Sequence, residues 1–288
     1  SVVADVGIEE NVRRIADTAI ARFGGFDTWV NNAGASVYGR IEQISNEDHR
    51  RLFETNFWGV VYGSQVALGH LKGKGEQGGA GGAIINVGST VSDRAIPLQG
   101  MYSASKHAIK AFTDALRMES EEADYPISFT LIKPAAIDTP YVEHAKNYME
   151  EDPSFPPPVY AAETVARAIL HAAVHPERDI LVGGGAKFFS LMEKVAPRLT
   201  DLMMQRTMFK QQKAGTRGQR SGIGLHRHGI GGEQSGGYEG HVMKTSLYTA
   251  ATTHPWMTGL ILGATGAAVA AAIAAKPAAT RKERGWWD

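Results

Sequence analysis

Two hydrophobic periods alternate along the first two thirds of the chain. From Glu9 to Phe23, Val12, Ile15, Ala16, Ala19 and Ile20 recur at helical spacing, and Gly24-Gly25 supplies a stop. Ser1–Val6 reads as a short buried strand, and Phe26–Val30 as a second one closed by Asn31-Asn32-Ala33-Gly34. Glu47–Leu71 carries an apolar face over a long helix, and Gly73–Gly82 reads as a polar, glycine-rich surface loop. Ala83–Val87 reads as a fully buried strand. Met101–Glu121 is a helix, Ile127–Ile132 a strand stopped by Pro134, Ala161–Ala173 a helix, and Ile180–Val182 a last short strand before Gly183-Gly184-Gly185. Strands that alternate with helices and are apolar on both faces predict an α/β fold, a doubly wound parallel sheet covered on two sides. Such sheets bind ligands at the carboxyl ends of their strands, where the polar clusters of this chain fall.

The pattern changes further along. Lys187–Lys213 is a Met-rich amphipathic stretch expected to pack on the domain or line a substrate entrance. Residues 214–240 are dominated by Gly, Arg, His, Ser and Gln and read as a flexible linker. Trp256–Ala275 has no charged residue and the length of a bilayer-spanning helix, with Gly259-x3-Gly263 inside it and Trp256, Lys276, Arg281, Lys282, Arg284 and Trp286-Trp287 at its ends. The division expected is 1–213 as an incomplete nucleotide-binding-type domain, 214–240 as linker, and 241–288 as a C-terminal segment with a candidate membrane helix at 256–275. The bland alternative for 256–275 is an Ala-rich helix lying on the domain or mediating oligomer contacts. The basic tail favours the cytoplasmic side of a membrane, which conflicts with a cytoplasmic catalytic domain on the other end of the same span.

Composition narrows the function. A formal net charge of zero and a pI near 7.2 give no basic surface for nucleic acid. The absence of cysteine excludes disulfides, thiolate catalysis and Cys-based zinc sites. His226, His228 and His241 are scattered and define no metal site. The opening residues have no basic, apolar leader pattern, and the chain starts without Met in what reads as a strand, as though its beginning were missing.

Chemistry concentrates around one helix start. Tyr102-Ser103-Ala104-Ser105-Lys106 places a phenol and an ammonium at i, i+4 on one face. A free phenol, with a pKa of about 10, is a poor base at neutral pH. A neighbouring ammonium favours the phenolate, so that the pair can exchange a proton with an alcohol or a ketone. Alone, Tyr-x3-Lys is weak and fits a solvated helix face. Upstream, the strand Ile84–Val87 runs into Gly88-Ser89, whose hydroxyl can donate to a substrate oxygen. Asn56 places an amide inside an apolar helix, either kinking it or relaying protons through an ordered water.

Asn31-Asn32-Ala33-Gly34, Asn56, Ser89, Tyr102-x3-Lys106 and Pro134 occur in the order and approximate spacing of the short-chain dehydrogenase/reductase family, and the chain resembles that family over about residues 1–185. The resemblance implies a Rossmann fold, here lacking its first two strands, and NAD or NADP as cofactor. It implies Tyr102 as general acid/base and Lys106 as the residue that lowers its pKa and holds the nicotinamide ribose. Ser89 would bind the substrate oxygen and Asn56 complete a proton relay. Asn32, Ala33 and Gly34 would approach the cofactor ribose through backbone, Asp5, followed by Val6, would bond the adenine amino group, and Thr139, after Pro134, the carboxamide. Pro134-Ala135 replaces the family's usual Pro-Gly. The glycine-rich pyrophosphate turn would lie before residue 1, and the later Gly-x-Gly stretches join no strand to a helix. The family's strand order then leaves Ser1–Val6 with no strand neighbour while the four later strands still pair.

The activity implied is NAD(P)-dependent interconversion of a small-molecule alcohol and carbonyl, by a membrane-associated protein with its catalytic domain in the cytoplasm. A homo-oligomer is implied, paired through the helices of Asn56 and Tyr102, and this chain by itself is expected to be inactive. The alternative is a catalytically silent protein of the same fold that serves as a binding module or membrane scaffold. Substrate identity is carried by loops around 35–41, 90–98 and 138–160.

Overall fold

The computed structural model describes residues 1–184 apart from 77 and 80, then 192, 195–217, 223–227 and 232–253. Its centre is a four-stranded parallel sheet of β1 (Thr28–Asn31), β3 (Gly82–Val87), β4 (Ile127–Pro134) and the strand Asp179–Val182, adjacent in that order. Thr28 pairs with Ala83, Ile84 with Phe129 and Ile132 with Ile180, so all four strands point the same way. The four later strands therefore pair as the strand-order argument expects.

Successive residues of β3 face opposite sides, as a pleat requires. Ile84 joins Ala67, Leu71, Leu116 and Phe129 beneath α3 (Gly59–Glu76) and α4 (Gly100–Glu122). Ile85 joins Ile132, Ile180 and Val182 beneath Ala168 and Ala172 of the helix Ala162–Val174. Two-sided burial explains why the strands read as apolar runs. α1 (Glu9–Phe23) lies on α3 through Val12 and Ala16, and ends at Gly24, whose φ of 79° is the left-handed turn that glycine tolerates.

Several expectations are corrected. Ser1–Val6 is neither a strand nor buried: Val3 is 89% exposed and no ladder forms there, because strand propensity is realised only against a neighbour. The glycine-rich stretch after Leu71 is not all loop, since α3 continues to Glu76, carried by packing rather than propensity. The helix expected over Glu47–Leu71 is α2 (Asn46–Phe53) and α3 joined through a π-turn at Glu54–Trp58, and Asn56 lies in that turn. Small additional strands also form outside the main sheet, among them β2 (Val37–Tyr38), which pairs in parallel with Lys146–Asn147.

The Met-rich stretch contains a helix, Pro197–Gln211, whose Met204 and Met208 are buried and whose Asp201 pairs with Arg94 at 2.5 Å. Within 214–240, read as a linker, the described residues are docked on the domain. Lys213–Arg217 pairs with Glu151–Pro153, and Leu225 is buried beside Leu52 and Tyr102. His226 Nε2 lies 2.6 Å from Asp48 Oδ1, and the Ser235 hydroxyl donates to Asp138 at 2.7 Å. A single apolar anchor and backbone donors hold a segment whose composition has little else to bury. Among the described residues no helix is long and apolar enough to cross a membrane; the candidate span 256–275 lies outside them.

Candidate active site

Parallel strands deliver their carboxyl ends to one edge, and the loops after β1, β3 and β4 open there onto a cavity of about 970 Å³. Asn32, Ala33, Gly34, Ser89, Tyr102, Lys106, Pro134 and Thr139 all line it. Eight of the residues expected at the site thus converge, from segments up to a hundred positions apart. Asn56 is fully buried directly behind the wall. Its Oδ1 accepts from the Ala35 N–H (2.8 Å), and its Nδ2 donates to the Ala35 carbonyl (3.0 Å) and to Ser105 Oγ (3.1 Å). The π-turn swings this amide toward the 32–35 loop, a use that π-turns often serve.

Asp5 and Val6 are not brought to the cavity. The Asp5 carboxylate accepts from Arg51 Nη2 at 2.6 Å and from the Gly7 N–H at 2.9 Å, while Val6 packs on Gly59. Ser105, Gln99, Tyr141 and Gln212 escaped the sequence reading. Ser105 is within the Tyr-x3-Lys stretch and Tyr141 two residues past Thr139, so both were within reach of a local argument. Gln99 and Gln212 meet across more than a hundred residues, where no local pattern points.

Lys106 and Tyr102 lie on one face of α4, with Nζ 5.7 Å from the phenol ring centroid. The ammonium donates to the Val87 carbonyl at 2.8 Å. An ammonium has three donors, so capacity remains for a ligand on the cavity side. Burial pushes the Tyr102 phenol above its ordinary value, and hydrogen bonds with Tyr141 and Ser89 pull it back. Burial alone holds Lys106 down to about 8, so it is largely charged at neutral pH.

That depression has a stability consequence. Between about pH 8 and its ordinary 10.5, the unfolded lysine binds more protons than the folded one, so stability rises with pH across that window. Lys106→Met should therefore be more stable than wild type at pH 7, by on the order of 3–4 kcal/mol at about 1.4 kcal/mol per pH unit. The gap should close as pH climbs from about 8 toward 10.5. Denaturant unfolding at a series of pH values measures it, and a gap independent of pH would remove the burial account.

The donor set fits the nicotinamide-ribose half of a dinucleotide. A Cβ at Gly34 would sit 3.5 Å from Asn56 Oδ1 and 3.8 Å from Lys106 Nζ, so the loop backbone and the ammonium share one small volume. No glycine turn between a strand of the main sheet and a helix that could seat a diphosphate is found among the described residues.

The model of the short chain dehydrogenase family matches residues 1–150. The oxidoreductase YxnA of Bacillus subtilis (strain 168) is 43% identical over 263 residues, covering 91% of this chain and 73% of that protein. A short-chain dehydrogenase from Streptomyces avermitilis shares the fold at 23% identity and a TM-score of 0.56, over 73% of this chain and 80% of its own. An alcohol dehydrogenase from the archaeon Thermococcus sibiricus, complexed with 5-hydroxy-NADP, matches at 25% identity and a TM-score of 0.50, over 62% of this chain and 71% of its own. The family match falls on the segment that carries Asn56, Ser89, Tyr102 and Lys106, and the chain belongs to the short-chain dehydrogenase/reductase family.

Proposed function

We propose that this chain carries the catalytic residues of an NAD(P)-dependent oxidoreductase that interconverts a secondary alcohol and a ketone, with Tyr102 as general acid/base. The observation that carries the reading is the convergence of the Tyr102 hydroxyl, Ser89 and the Lys106 ammonium on one cavity bordered by Asn32–Gly34. The likeness to an archaeal alcohol dehydrogenase bound to an NADP derivative supports both the alcohol and the dinucleotide.

The dinucleotide, when bound, supplies the centre that takes or gives the hydride. Tyr102 holds the proton that leaves the alcohol O–H or returns to the ketone oxygen. Ser89 donates to that same oxygen and steadies the charge that develops on it. Lys106 binds the ribose hydroxyls and, as a cation in a buried pocket, favours the Tyr102 phenolate. Asn56 holds the 32–35 loop against the ribose and offers the second lone pair of its Oδ1 to a proton relay. Thr139 and Pro134, which line the cavity, would border the carboxamide, and Asp5 and Val6 would reach an adenine only if the Arg51 pair opened.

Tyr141, Phe155, Pro156 and Ile96 give the substrate side of the cavity an apolar wall, which suits a lipophilic alcohol. A homo-oligomer through the helices flanking Asn56 and Tyr102 agrees with Trp58 and Met118, both exposed there. Membrane attachment through 256–275 would bring a lipophilic substrate close.

Initial rates of the full-length protein with NAD⁺ and NADP⁺, across secondary alcohols from small to multi-ring, test the reading, with dinucleotide raised until the rate saturates. Turnover with at least one alcohol, favouring larger apolar ones, is expected. Saturable dinucleotide binding without turnover of any alcohol or ketone would sink it.

A further inference from the structure

Tyr102 has a second hydroxyl beside it. Tyr141 opens the short helix Tyr141–His144, and its ring meets Tyr102 edge-on, with centroids 5.7 Å apart and planes at 64°. On its other side the ring stacks on Phe155, at 6.2 Å and 24°. The Tyr141 hydroxyl opposes the rise that burial imposes on the Tyr102 phenol. The Tyr141 O–H also donates to Gln99 Oε1 at 3.1 Å, where the Ser36 hydroxyl arrives as well at 3.3 Å.

The direction of these bonds follows from the far end of the network. Gln212, fully buried, places its Nε2 2.9 Å from the Pro97 carbonyl and 3.2 Å from the Met208 carbonyl. Carbonyls only accept, so the amide nitrogen must face them and Gln212 Oε1 must face Gln99. Gln99 Nε2 donates to that oxygen at 2.8 Å. Gln99 is therefore held with its own oxygen toward Tyr141 and Ser36. A buried amide in this position cannot flip without stranding a donor and an acceptor, at about 1–3 kcal/mol for each unsatisfied group.

We propose that Tyr141 is a positioning residue for the reaction, its hydroxyl aimed by the Gln99–Gln212 amide pair to donate to the Tyr102 oxygen whenever that oxygen loses its proton. The proposal rests on the reading of Tyr102 as acid/base. While Tyr102 is a phenol, the Tyr141 proton points at Gln99. When Tyr102 ionises, rotation about one C–O bond turns the same proton to the phenolate, and Ser36 still satisfies Gln99. No heavy atom moves. A hydrogen bond to an ionised oxygen is roughly twice as strong as a neutral one, so the exchange favours the phenolate. The pair also ties the reacting tyrosine to the end of the helix Pro197–Gln211, far along the chain from the family motifs.

Tyr141→Phe tests this, because it removes one oxygen and keeps the ring between Tyr102 and Phe155. Other ionisable groups near the pair stay in place. Lys106 is on the same helix as Tyr102; Tyr38 comes from β2 and Tyr148 from the turn after Asn147. Glu143, His144, Arg227 and Glu233 line the same cavity. In alcohol oxidation, the rising limb of the kcat–pH profile should move up by about one unit, a tenfold loss of phenolate at a given pH. KM for the dinucleotide should hold. A merely structural role would lower kcat equally at every pH and leave the midpoint in place.

A second measurement needs no turnover. Tyrosinate absorbance is titrated in wild type and Tyr141→Phe, each against its Tyr102→Phe partner, which isolates the Tyr102 ionisation. An upward shift of about one unit supports the proposal; an unchanged midpoint overturns it. If wild type binds dinucleotide and turns over no alcohol, the functional reading fails, and the titration still decides the proposal.

Discussion

Tyr102→Phe in the full-length protein should reduce turnover by about 10²–10⁴-fold while leaving it folded, the range that a positioned acid/base contributes. The substitution deletes one oxygen from a ring that packs with Ala35, Val37, Ile44, Leu52 and Leu225, so the apolar contacts survive. Each group that loses this partner keeps another. Tyr141 still donates to Gln99 at 3.1 Å, and Ser89 Oγ still lies 3.5 Å from the Pro134 carbonyl. Little stability should be lost, because no buried polar atom is stranded. Dinucleotide affinity should also hold, since the Lys106 ammonium and the 32–34 backbone are untouched. The loss is then confined to kcat, which separates a proton-transfer role from a binding one. Steady-state rates with fluorescence titration of NADH and NADPH make the comparison. Retention of more than about a tenth of wild-type kcat would remove Tyr102 from the role of acid/base.

What the sequence made legible was local. α1 could be read to its last residue because five apolar positions share one face and Gly24 follows them. β3 could be read because burial on both faces leaves it almost wholly apolar, and the strand ends then located the candidate site. Tyr102, Lys106 and Ser89 were visible for the same reason: each stands within a few residues of a helix start or strand end that its own neighbourhood announces. The illegible parts depend on partners distant in sequence. Asp5 looked like a ligand contact until Arg51, forty-six positions on, was seen to take its carboxylate. Residues 214–240 looked detached because their composition is polar, yet Leu225 fills a gap beside Leu52 and the Asp138 carboxylate gathers Ser235, Gly236 and Tyr238. Asn56 reads from sequence as either a helix-kinking amide or a proton relay, and the π-turn that aims it leaves no composition signal. The Gln99–Gln212 pair joins two amides that neither helix periodicity nor a family motif marks.

The same dependence on distant partners makes Gly63 a sensitive position. Gly63 lies in α3 where that helix crosses β1, and a Cβ built there would overlap Asn31 Oδ1 and stand 2.8 Å from Trp29 Nε1. On helix propensity alone, replacing a helical glycine should stabilise, by up to about 1 kcal/mol for alanine. The contact reverses that sign. Asn31 cannot swing aside freely: its Oδ1 accepts from Trp29 Nε1 at 2.8 Å, and its Nδ2 donates to Asn86 Oδ1 at 2.8 Å and to Ser64 Oγ at 3.1 Å. Asn86 is fully buried in β3 and donates onward to Thr113 Oγ1 at 2.9 Å, so displacing Asn31 strands polar atoms in the middle of the sheet. Overpacking at about 1–3 kcal/mol and unsatisfied buried groups at about 1–3 kcal/mol each combine, and Gly63→Val should cost roughly 4 kcal/mol, with Gly63→Ala destabilising by less. The damage should reach the site, because Asn31 ends β1 and the next three residues are the loop that borders Lys106. Urea unfolding of both variants, read beside dinucleotide affinity, tests the coupling. If Gly63→Ala proves as stable as wild type or more so, helix propensity outweighs the contact, and the asparagine ladder is not what holds β1 to α3.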